Sequence, residues 1–324
     1  MYGQKHAHAF SVQMDILPFK KFLWLKKLSK TITGDLDQQL RALSLLSRYD
    51  AIYAMINGPI VGLCFLRKAG LLKTPIIVLA HGLPPYDHPS FKISYQGADH
   101  VIATNRVTYE RIKSRYNLPD EKITLMNWWS DIEFYPDYSR EERTEPFLFS
   151  NGQSWRDYST LFQAVTKAGI KAKFIIPESQ LSSDYGKNIE VTVYRKNPHA
   201  NFQDGFMPGD FLPILRKTTI VAIPLDENRL HRSNGITNMM EAFAAGVPVI
   251  MTESPCIDID IEREGSGFWV KEGDVEDWVE KITRISNNPT LQKQMAANAR
   301  KTAEKYKVQS FSEGLCQTIK KVTN

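Results

Sequence analysis

The sequence has few of the features that mark disulfide-rich, metal-binding or secreted proteins. Its 324 residues include only three cysteines, Cys64, Cys256 and Cys316, which lie far apart. An odd and scattered set predicts neither a disulfide framework nor a zinc site, so we expect a reducing compartment. No pair of carboxylates has metal-binding spacing, and we expect neither a metal nor another cofactor.

Long apolar runs and a leader pattern are also missing. Residues 1–10 are polar and contain two histidines, which is not the pattern of a signal peptide. The longest apolar stretch, residues 51–66, is interrupted by Asn57, Gly58 and Pro59 and is shorter than the roughly 20 residues that span a bilayer. We therefore expect a cytoplasmic protein without a membrane span.

Positive charge is concentrated in the first part of the chain. Residues 1–140 hold 18 Lys+Arg against 12 Asp+Glu, whereas the remainder holds 23 against 24. This excess indicates an anionic acceptor or surface on that side, although an ordinary solvated surface explains it equally well. Nothing in the sequence indicates a nucleic-acid partner.

Residues 19–30, FKKFLWLKKLSK, combine five lysines with six large apolar residues. This composition is typical of a helix that lies on a membrane surface. On a helical wheel, however, Lys26 and Lys30 share a face with Phe19 and Leu23. Peripheral contact with an anionic membrane and a segment that stays on the protein surface both remain open.

Short apolar runs alternate with helical patterns, which favours an α/β protein with parallel sheets. The length predicts two domains of about 150 residues each. A segment dense in charge and proline, residues 137–146, separates two series of such units. We predict an N-terminal domain over 1–140, a second domain over 141–307, and a last helix, 308–324, that returns to the first domain. Strands are predicted at 51–56, 75–80, 100–104 and 123–126, and then at 147–150, 173–176, 190–194, 220–224 and 247–252.

The most informative stretch is residues 233–252, SNGITNMMEAFAAGVPVIMT. A tight turn precedes a helix, whose unpaired N–H groups and dipole suit a diphosphate. A glutamate one turn into the helix suits a ribose diol, although a plain helix with an exposed glutamate fits the pattern as well. The candidate ligand-binding residues are Ser233, Asn234, Gly235, Ile236, Thr237 and Glu241.

A second candidate segment, residues 150–161, reads SNGQSWRDYSTL. Here a strand ends in a turn, and Arg156 precedes a helix that Asp157 or Ser159 could cap. A guanidinium in such a loop can bind phosphate with two hydrogen bonds. The alternative is that Arg156 pairs with a surface acid. The candidates here are Gly152, Gln153, Ser154 and Arg156.

A third candidate lies at the end of a buried strand in residues 78–89, VLAHGLPPYDHP. The sequence places His81 at the carboxyl edge of the sheet, which is where α/β proteins bind ligands. A structural histidine that caps the strand end is the alternative. His88 is a weaker candidate.

Residues 241–250, EAFAAGVPVI, resemble the donor-site helix of glycosyltransferase family 4 and its GT-B relatives, whose pattern is Glu-Ala-x-Ala-x-Gly-x-Pro-Val-Ile. Residues 98–104 and 122–136 resemble that family's first-domain strand and its exit from the first domain. The resemblance implies that Glu241 binds the nucleotide ribose and that Arg156 neutralises the leaving diphosphate. It also implies that His81 faces the donor sugar.

The sequence departs from the family pattern at three places. The family has a second glutamate eight residues before Glu241, where this chain has Ser233. The usual glycine position is Ile236, with Gly235 one residue earlier. Residues 1–34 lack the strand and glycine-rich loop with which family members open.

The resemblance implies a GT-B fold, with two Rossmann-like domains that face a central cleft. It further implies transfer of a sugar from a nucleoside diphosphate sugar to an acceptor hydroxyl, without a metal and with retention of configuration. A glycan or a lipid-linked molecule would be the acceptor. Two alternatives remain open: a non-catalytic sugar-nucleotide-binding partner of another transferase, and a sugar-nucleotide epimerase.

Overall fold

The computed structural model describes residues 3–18, 22–29, 33–83, 87–143, 145–181, 185–194, 208–226 and 233–324. The chain forms two compact units. The first comprises Met1–Asn127, His231–Ser233 and Val308–Asn324, and the second comprises Trp128–Leu230 and Asn234–Lys307.

The described residues form parallel strands and helices that largely alternate along the chain. The strands are β1 (Ile52–Ala54), β2 (Ile76–Ala80), β3 (His100–Ala103), β4 (Ile123–Leu125), β5 (Phe147–Asn151), β6 (Lys171–Pro177), β7 (Ile189–Tyr194), β8 (Ile220–Ile223), β9 (Val249–Thr252) and β10 (Gly267–Val270). The α-helices are α1 (Gln4–Ala7), α2 (Leu23–Leu28), α3 (Leu36–Leu43), α4 (Val61–Lys68), α5 (Pro89–Gly97), α6 (Arg106–Tyr116), α7 (Tyr158–Ala168), α8 (Leu212–Lys217), α9 (Ile236–Ala244), α10 (Val275–Ser286), α11 (Pro289–Lys305) and α12 (Val308–Thr323). Short 3₁₀ turns cover His8–Phe10, Leu46–Arg48, Gly58–Ile60, Asp120–Lys122, Glu178–Gln180 and Pro208–Phe211.

The first unit contains a four-stranded parallel sheet in the order β1-β2-β3-β4. Every residue of β2 and β3 is buried, which is what a central parallel strand covered on both faces requires. The four strands expected in this half are present, although β1 is shorter than the expected 51–56. Helix α12 also belongs to this unit, where Lys321 donates to the carbonyl of Glu121 at 3.1 Å.

The second unit contains a six-stranded parallel sheet in the order β10-β9-β8-β5-β6-β7. Alternate side chains of each strand enter the two opposite cores, as the period of two requires. Leu148 packs in the core that α7 and α10 cover, whereas Phe149 packs in the core that α9 and α11 cover. Each face of the sheet is therefore sealed by a pair of helices.

The order of the strands creates a switch point between β5 and β8, which pair directly. From β5 the chain passes through α7 to β6 on one side. From β8 it passes through α9 to β9 on the other side. The connections after β5 and β8 therefore diverge, and a crevice outside the carboxyl ends of such strands is where open α/β sheets bind ligands.

The structure divides the chain earlier than the expected boundary at residue 140, because residues 128–138 attach to the second unit. Ser130 N donates to the carbonyl of Tyr306 at 2.7 Å. The guanidinium of Arg300 donates to the carbonyls of Ile132 and Tyr135 at 3.3 and 3.1 Å. These hydrogen bonds lie within the second unit. They involve residues 130–135, which precede the charged and proline-rich stretch at which the boundary is expected.

Among the described residues, no helix is both long enough and apolar enough to cross a bilayer. The basic segment 19–30 is described only at residues 22–29. There α2 leaves the side chains of Trp24 and Leu28 exposed, at 63% and 59% of their surface.

Candidate functional site

Arg156 is the central residue of the candidate site in the second unit. It follows β5 and is only 8% exposed. Its Nη1 donates to the carbonyl of Ser154 and its Nη2 to the side-chain oxygen of Asn238, both at 2.7 Å. Its Nε is buried without a hydrogen-bond partner, and no carboxylate among the described residues pairs with it. Burial consequently lowers the pKa of this guanidinium.

The loop before α7 is shaped around that guanidinium. Gly152 has φ of +129°, and a Cβ there would lie 2.7 Å from Nη2 of Arg156. The hydroxyl of the buried Tyr158 donates to the carbonyl of Gly152 at 3.0 Å. Trp155, which is 39% exposed, has φ of +56°, a conformation that costs a non-glycine residue energy. The loop is thus held in an unusual conformation that leaves space for the arginine.

Helix α9 begins on the other side of the switch point without a side-chain cap. Its N-cap residue, Gly235, has φ of +79°, and a Cβ there would lie 2.6 Å from Cγ2 of Ile223. A glycine is therefore required for the turn and for its close approach to β8. Since Gly235 has no side chain that could cap the helix, we expect the N–H groups of its first turn to be available for an anion.

Asn238 connects the two segments. Its side-chain oxygen accepts from Arg156, and its Nδ2 donates to Oδ1 of Asn151, the last residue of β5, at 2.9 Å. Because Asn238 is the third residue of α9, this hydrogen bond places the guanidinium beside the first turn of that helix. Neither Asn151 nor Asn238 was among the predicted site residues.

Glu241 lies further along α9 and is half-buried. Burial raises the pKa of its carboxyl to about 7, and a hydrogen bond from Tyr135 acts in the opposite direction. Tyr135 is 4% exposed and packs in the core on the α9 face of the sheet. No local sequence pattern indicates this contact, because residues 134–136 resemble only the family's exit from the first domain.

The remaining predicted residues of the second unit occupy different environments. Ile236 is 6% exposed, so that only its backbone can face a ligand, whereas Thr237 and Ser154 are exposed. Gln153 is half-buried and hydrogen-bonds with Tyr194 at the end of β7. The residues that the structure brings to the carboxyl ends of β5 and β8 are Gly152, Gln153, Ser154, Arg156, Asn234, Gly235, Ile236 and Thr237.

The other two candidates, Ser233 and His81, are grouped with the first unit. The Ser233 hydroxyl accepts from Nδ2 of Asn105 at 2.6 Å and donates to the carbonyl of His81 at 3.3 Å. His81 itself follows β2, and its Nε2 lies 2.7 Å from the carbonyl of Met55. Burial lowers the pKa of His81, which keeps the imidazole neutral and makes Nε2 the donor to that carbonyl. His88 caps α5 by accepting from Ser90 N.

The first unit also contains a cavity of about 760 Å³ along the edge strand β1. Its volume lies within the range of small-molecule sites. Apolar side chains from residues 12–17, β1 and α12 line most of it, and Met55, whose carbonyl contacts His81, lies on its wall. Among the described residues of both units, no group of three or more His, Cys, Asp or Glu side chains is placed to hold a metal ion.

Two family models match this chain. "Glycosyltransferase Family 4" matches residues 4–133, and "Glycosyl transferases group 1" matches residues 198–302. Together these ranges cover most of both units. The two ranges of this chain are thus similar to glycosyltransferases of family 4 and of group 1.

Known proteins similar to this chain include one curated relative, the D-inositol 3-phosphate glycosyltransferase of Saccharomonospora viridis, which is 26% identical over 106 residues. That alignment spans 33% of this chain and only 23% of the relative. HepE from Anabaena, solved with UDP, has a TM-score of 0.66 and 14% identity over 88% of this chain and 82% of its own. Sucrose-phosphate synthase from Thermosynechococcus elongatus has a TM-score of 0.68 and 14% identity over 95% and 80%. Both solved structures support the GT-B fold.

Proposed function

We propose that this chain transfers a sugar from a nucleoside diphosphate sugar to a hydroxyl group of a glycan or lipid-linked acceptor. One observation carries the proposal: a buried arginine lies beside the uncapped first turn of α9 at the switch point of the second sheet. A cation next to the positive end of a helix dipole is unfavourable by itself. An anion between the two satisfies both, and a diphosphate has the charge and size to do so.

In the proposed reaction the second unit binds the donor. Arg156 and the N–H groups at Gly235–Thr237 would bind the diphosphate, and Glu241 would accept hydrogen bonds from the ribose hydroxyls. As the glycosidic bond breaks, the leaving diphosphate gains negative charge. Donors that are already in place stabilise that charge in the transition state more than in the ground state. This arrangement supplies the electrostatic stabilisation without a divalent metal.

The nucleotide of the donor is supported by similarity, since HepE has been solved with UDP and with UDP-glucose. The acceptor is proposed from the first unit, where positive charge is in excess and an apolar cavity lies near His81. A lipid-linked or polymeric anionic glycan has the chemistry that such a surface would bind. On this proposal His81 is a catalytic residue that faces the donor sugar, as the family resemblance implies, and retention of configuration follows the same resemblance.

A non-catalytic sugar-nucleotide-binding partner of another transferase is the second candidate. Ser233 favours it, because this serine replaces an acidic residue of the family pattern and its hydroxyl is already hydrogen-bonded to Asn105. Both candidates require the same donor site. They differ only in turnover.

A thermal-shift screen of UDP-, GDP-, ADP- and dTDP-sugars tests the donor site. A ligand at about 100 times its Kd should add roughly 2.7 kcal/mol to the free energy of unfolding. Release of nucleoside diphosphate by the purified protein, with and without acceptor, then separates the transferase from the binding partner. The rate should be unchanged by EDTA, and a loss of activity that magnesium or manganese restores would contradict metal independence.

Contact with a membrane is a separate part of the proposal, supported by the basic segment 19–30 and by the exposed side chains of Trp24 and Leu28. Vesicles that contain acidic lipid should bind the protein more strongly at low salt than at high salt, because salt screens exposed charges. Vesicles of neutral lipid are the control. Equal binding to both kinds of vesicle, or no binding to either, would reject the electrostatic contact.

A further inference from the structure

The described hydrogen-bond partners of Arg156 are neutral groups, whereas a buried arginine is usually paired with a carboxylate. Its two described partners are the carbonyl of Ser154 and the amide oxygen of Asn238, each at 2.7 Å. A buried ion is stable only when it is paired and hydrogen-bonded. The guanidinium, 8% exposed and with its Nε unsatisfied, lacks that compensation among the described residues.

The orientation of the Asn238 amide is fixed by its second partner. Nδ2 of Asn238 donates to Oδ1 of Asn151 at 2.9 Å, which leaves only the oxygen of Asn238 to face Arg156. The opposite orientation would place two donor groups against each other. Asn151 thus keeps Asn238 as an acceptor, and Asn238 keeps the guanidinium beside the first turn of α9.

We propose that Asn238 is a positioning residue that orients Arg156 without neutralising it, so that the positive charge remains available to an anionic ligand. This inference rests on the proposed function, because the ligand in question is the diphosphate of the donor. An aspartate has nearly the same size and could accept the same hydrogen bond. It would also form an ion pair with Arg156 and repel a diphosphate.

The decisive comparison is between Asn238→Asp and Asn238→Ala, with inorganic pyrophosphate as the probe in isothermal titration calorimetry. Asn238→Asp should lower the affinity by about 10- to 100-fold, which corresponds to the loss of a charge-assisted contact. It should also raise the melting temperature without ligand, since the aspartate pairs with a buried cation and lies in the first turn of a helix. Asn238→Ala should lower both quantities, and its affinity should exceed that of Asn238→Asp because Arg156 retains its charge.

Two further aspartate variants test whether the position of the added negative charge matters, or only its presence. Asn151→Asp introduces the same charge one hydrogen bond further from the guanidinium and still accepts from Asn238, so its affinity loss should be smaller. Asn287→Asp changes an exposed residue just after α10 and should bind pyrophosphate as the wild type does. Equal losses in the Asp variants at 238 and 151 would overturn the proposal.

Failure of the inference and failure of the proposed function give different results. If wild type binds pyrophosphate and Arg156→Ala weakens that binding, the donor site stands. In that case, full affinity in Asn238→Asp would overturn the role of Asn238 alone. If wild type does not bind pyrophosphate, both are overturned. Circular dichroism checks that each variant folds. If Asn238→Asp does not fold, Asn238→Ser replaces it, because serine keeps a neutral acceptor. The affinity of Asn238→Ser for pyrophosphate should lie between those of wild type and Asn238→Ala, and an affinity no higher than that of Asn238→Ala would overturn the proposal.

Discussion

The hydroxyl of Tyr135 donates a hydrogen bond to the carboxyl of Glu241, and burial raises the pKa of that carboxyl to about 7. The carboxyl therefore changes its charge within the ordinary pH range of cells. If it also binds the ribose of a donor, the same titration affects both the stability of the protein and its affinity for nucleotides.

Stability should fall as the pH rises through the pKa of Glu241. In the unfolded chain a glutamate loses its proton near pH 4.3, whereas in the folded protein Glu241 keeps it up to about pH 7. Between these values the folded state binds the extra proton, and stability falls with increasing pH by up to about 4 kcal/mol from this residue.

The substitution Glu241→Gln should remove that dependence. Urea unfolding at pH 5 and pH 8 should show a smaller loss of stability in the variant than in wild type, because glutamine cannot titrate. The difference between the two proteins isolates this residue from all other titrating groups. Parallel pH dependences would show that the carboxyl ionises normally.

Donor binding should have the opposite pH dependence, since an ionised carboxylate accepts hydrogen bonds from both ribose hydroxyls. We expect the affinity for the most stabilising nucleotide sugar to rise about tenfold between pH 6 and pH 8 in wild type. Glu241→Ala should bind that ligand about 10- to 100-fold more weakly and with little pH dependence. Calorimetric titration at both pH values provides the measurement, and normal binding by the variant would make Glu241 a structural residue.

The turn before α9 should tolerate no side chain at Gly235. Gly235→Ala combines a left-handed backbone, φ +79°, with a contact of 2.6 Å to Ile223. Gly273 is the matched control, because it has φ of +66° and lies next to the N-cap residue of α10, Asp274, but it has open space around it. Gly273→Ala should cost about 1 kcal/mol, and Gly235→Ala about 2–4 kcal/mol. Equal losses in thermal unfolding would show that the turn can shift to accept a methyl group.

Much of the fold could be predicted because parallel strands and their covering helices leave a strong pattern. The buried runs at 76–80 and 100–103 and the helix closed by Gly169 follow directly from apolar periodicity and from glycine at a helix end. The domain boundary was misplaced because a charged, proline-rich stretch indicates only a loop. Which unit residues 128–138 join depends on hydrogen bonds that Arg300 donates and that the carbonyl of Tyr306 accepts, and both residues are distant in sequence.

The site was predicted only as far as local patterns reach. Arg156 and Gly235 could be found because each lies in a turn next to a helix. Asn238 and Tyr135 could not be found, because their roles depend on distant partners. Asn238 accepts from Arg156, which lies 82 residues earlier, and Tyr135 contacts Glu241 in a different segment. An asparagine in the first turn of a helix is common and does not by itself indicate a function. Only the contact with the guanidinium of Arg156 gives Asn238 a specific role.

Arg156 should matter more for turnover than for binding. The donor diphosphate is already charged in the ground state, but its bridging oxygen gains further charge as the sugar departs, so the contact with the guanidinium strengthens toward the transition state. Arg156→Ala should therefore lower kcat by about 100-fold or more, while KM for the donor rises by a smaller factor. The control is Arg216→Ala, which removes an exposed arginine paired with Glu141 in the same unit and should leave both constants unchanged. Steady-state release of nucleoside diphosphate measures both variants. A rise in KM at constant kcat would mean that Arg156 binds the donor equally in both states, and the catalytic role would then be assigned elsewhere.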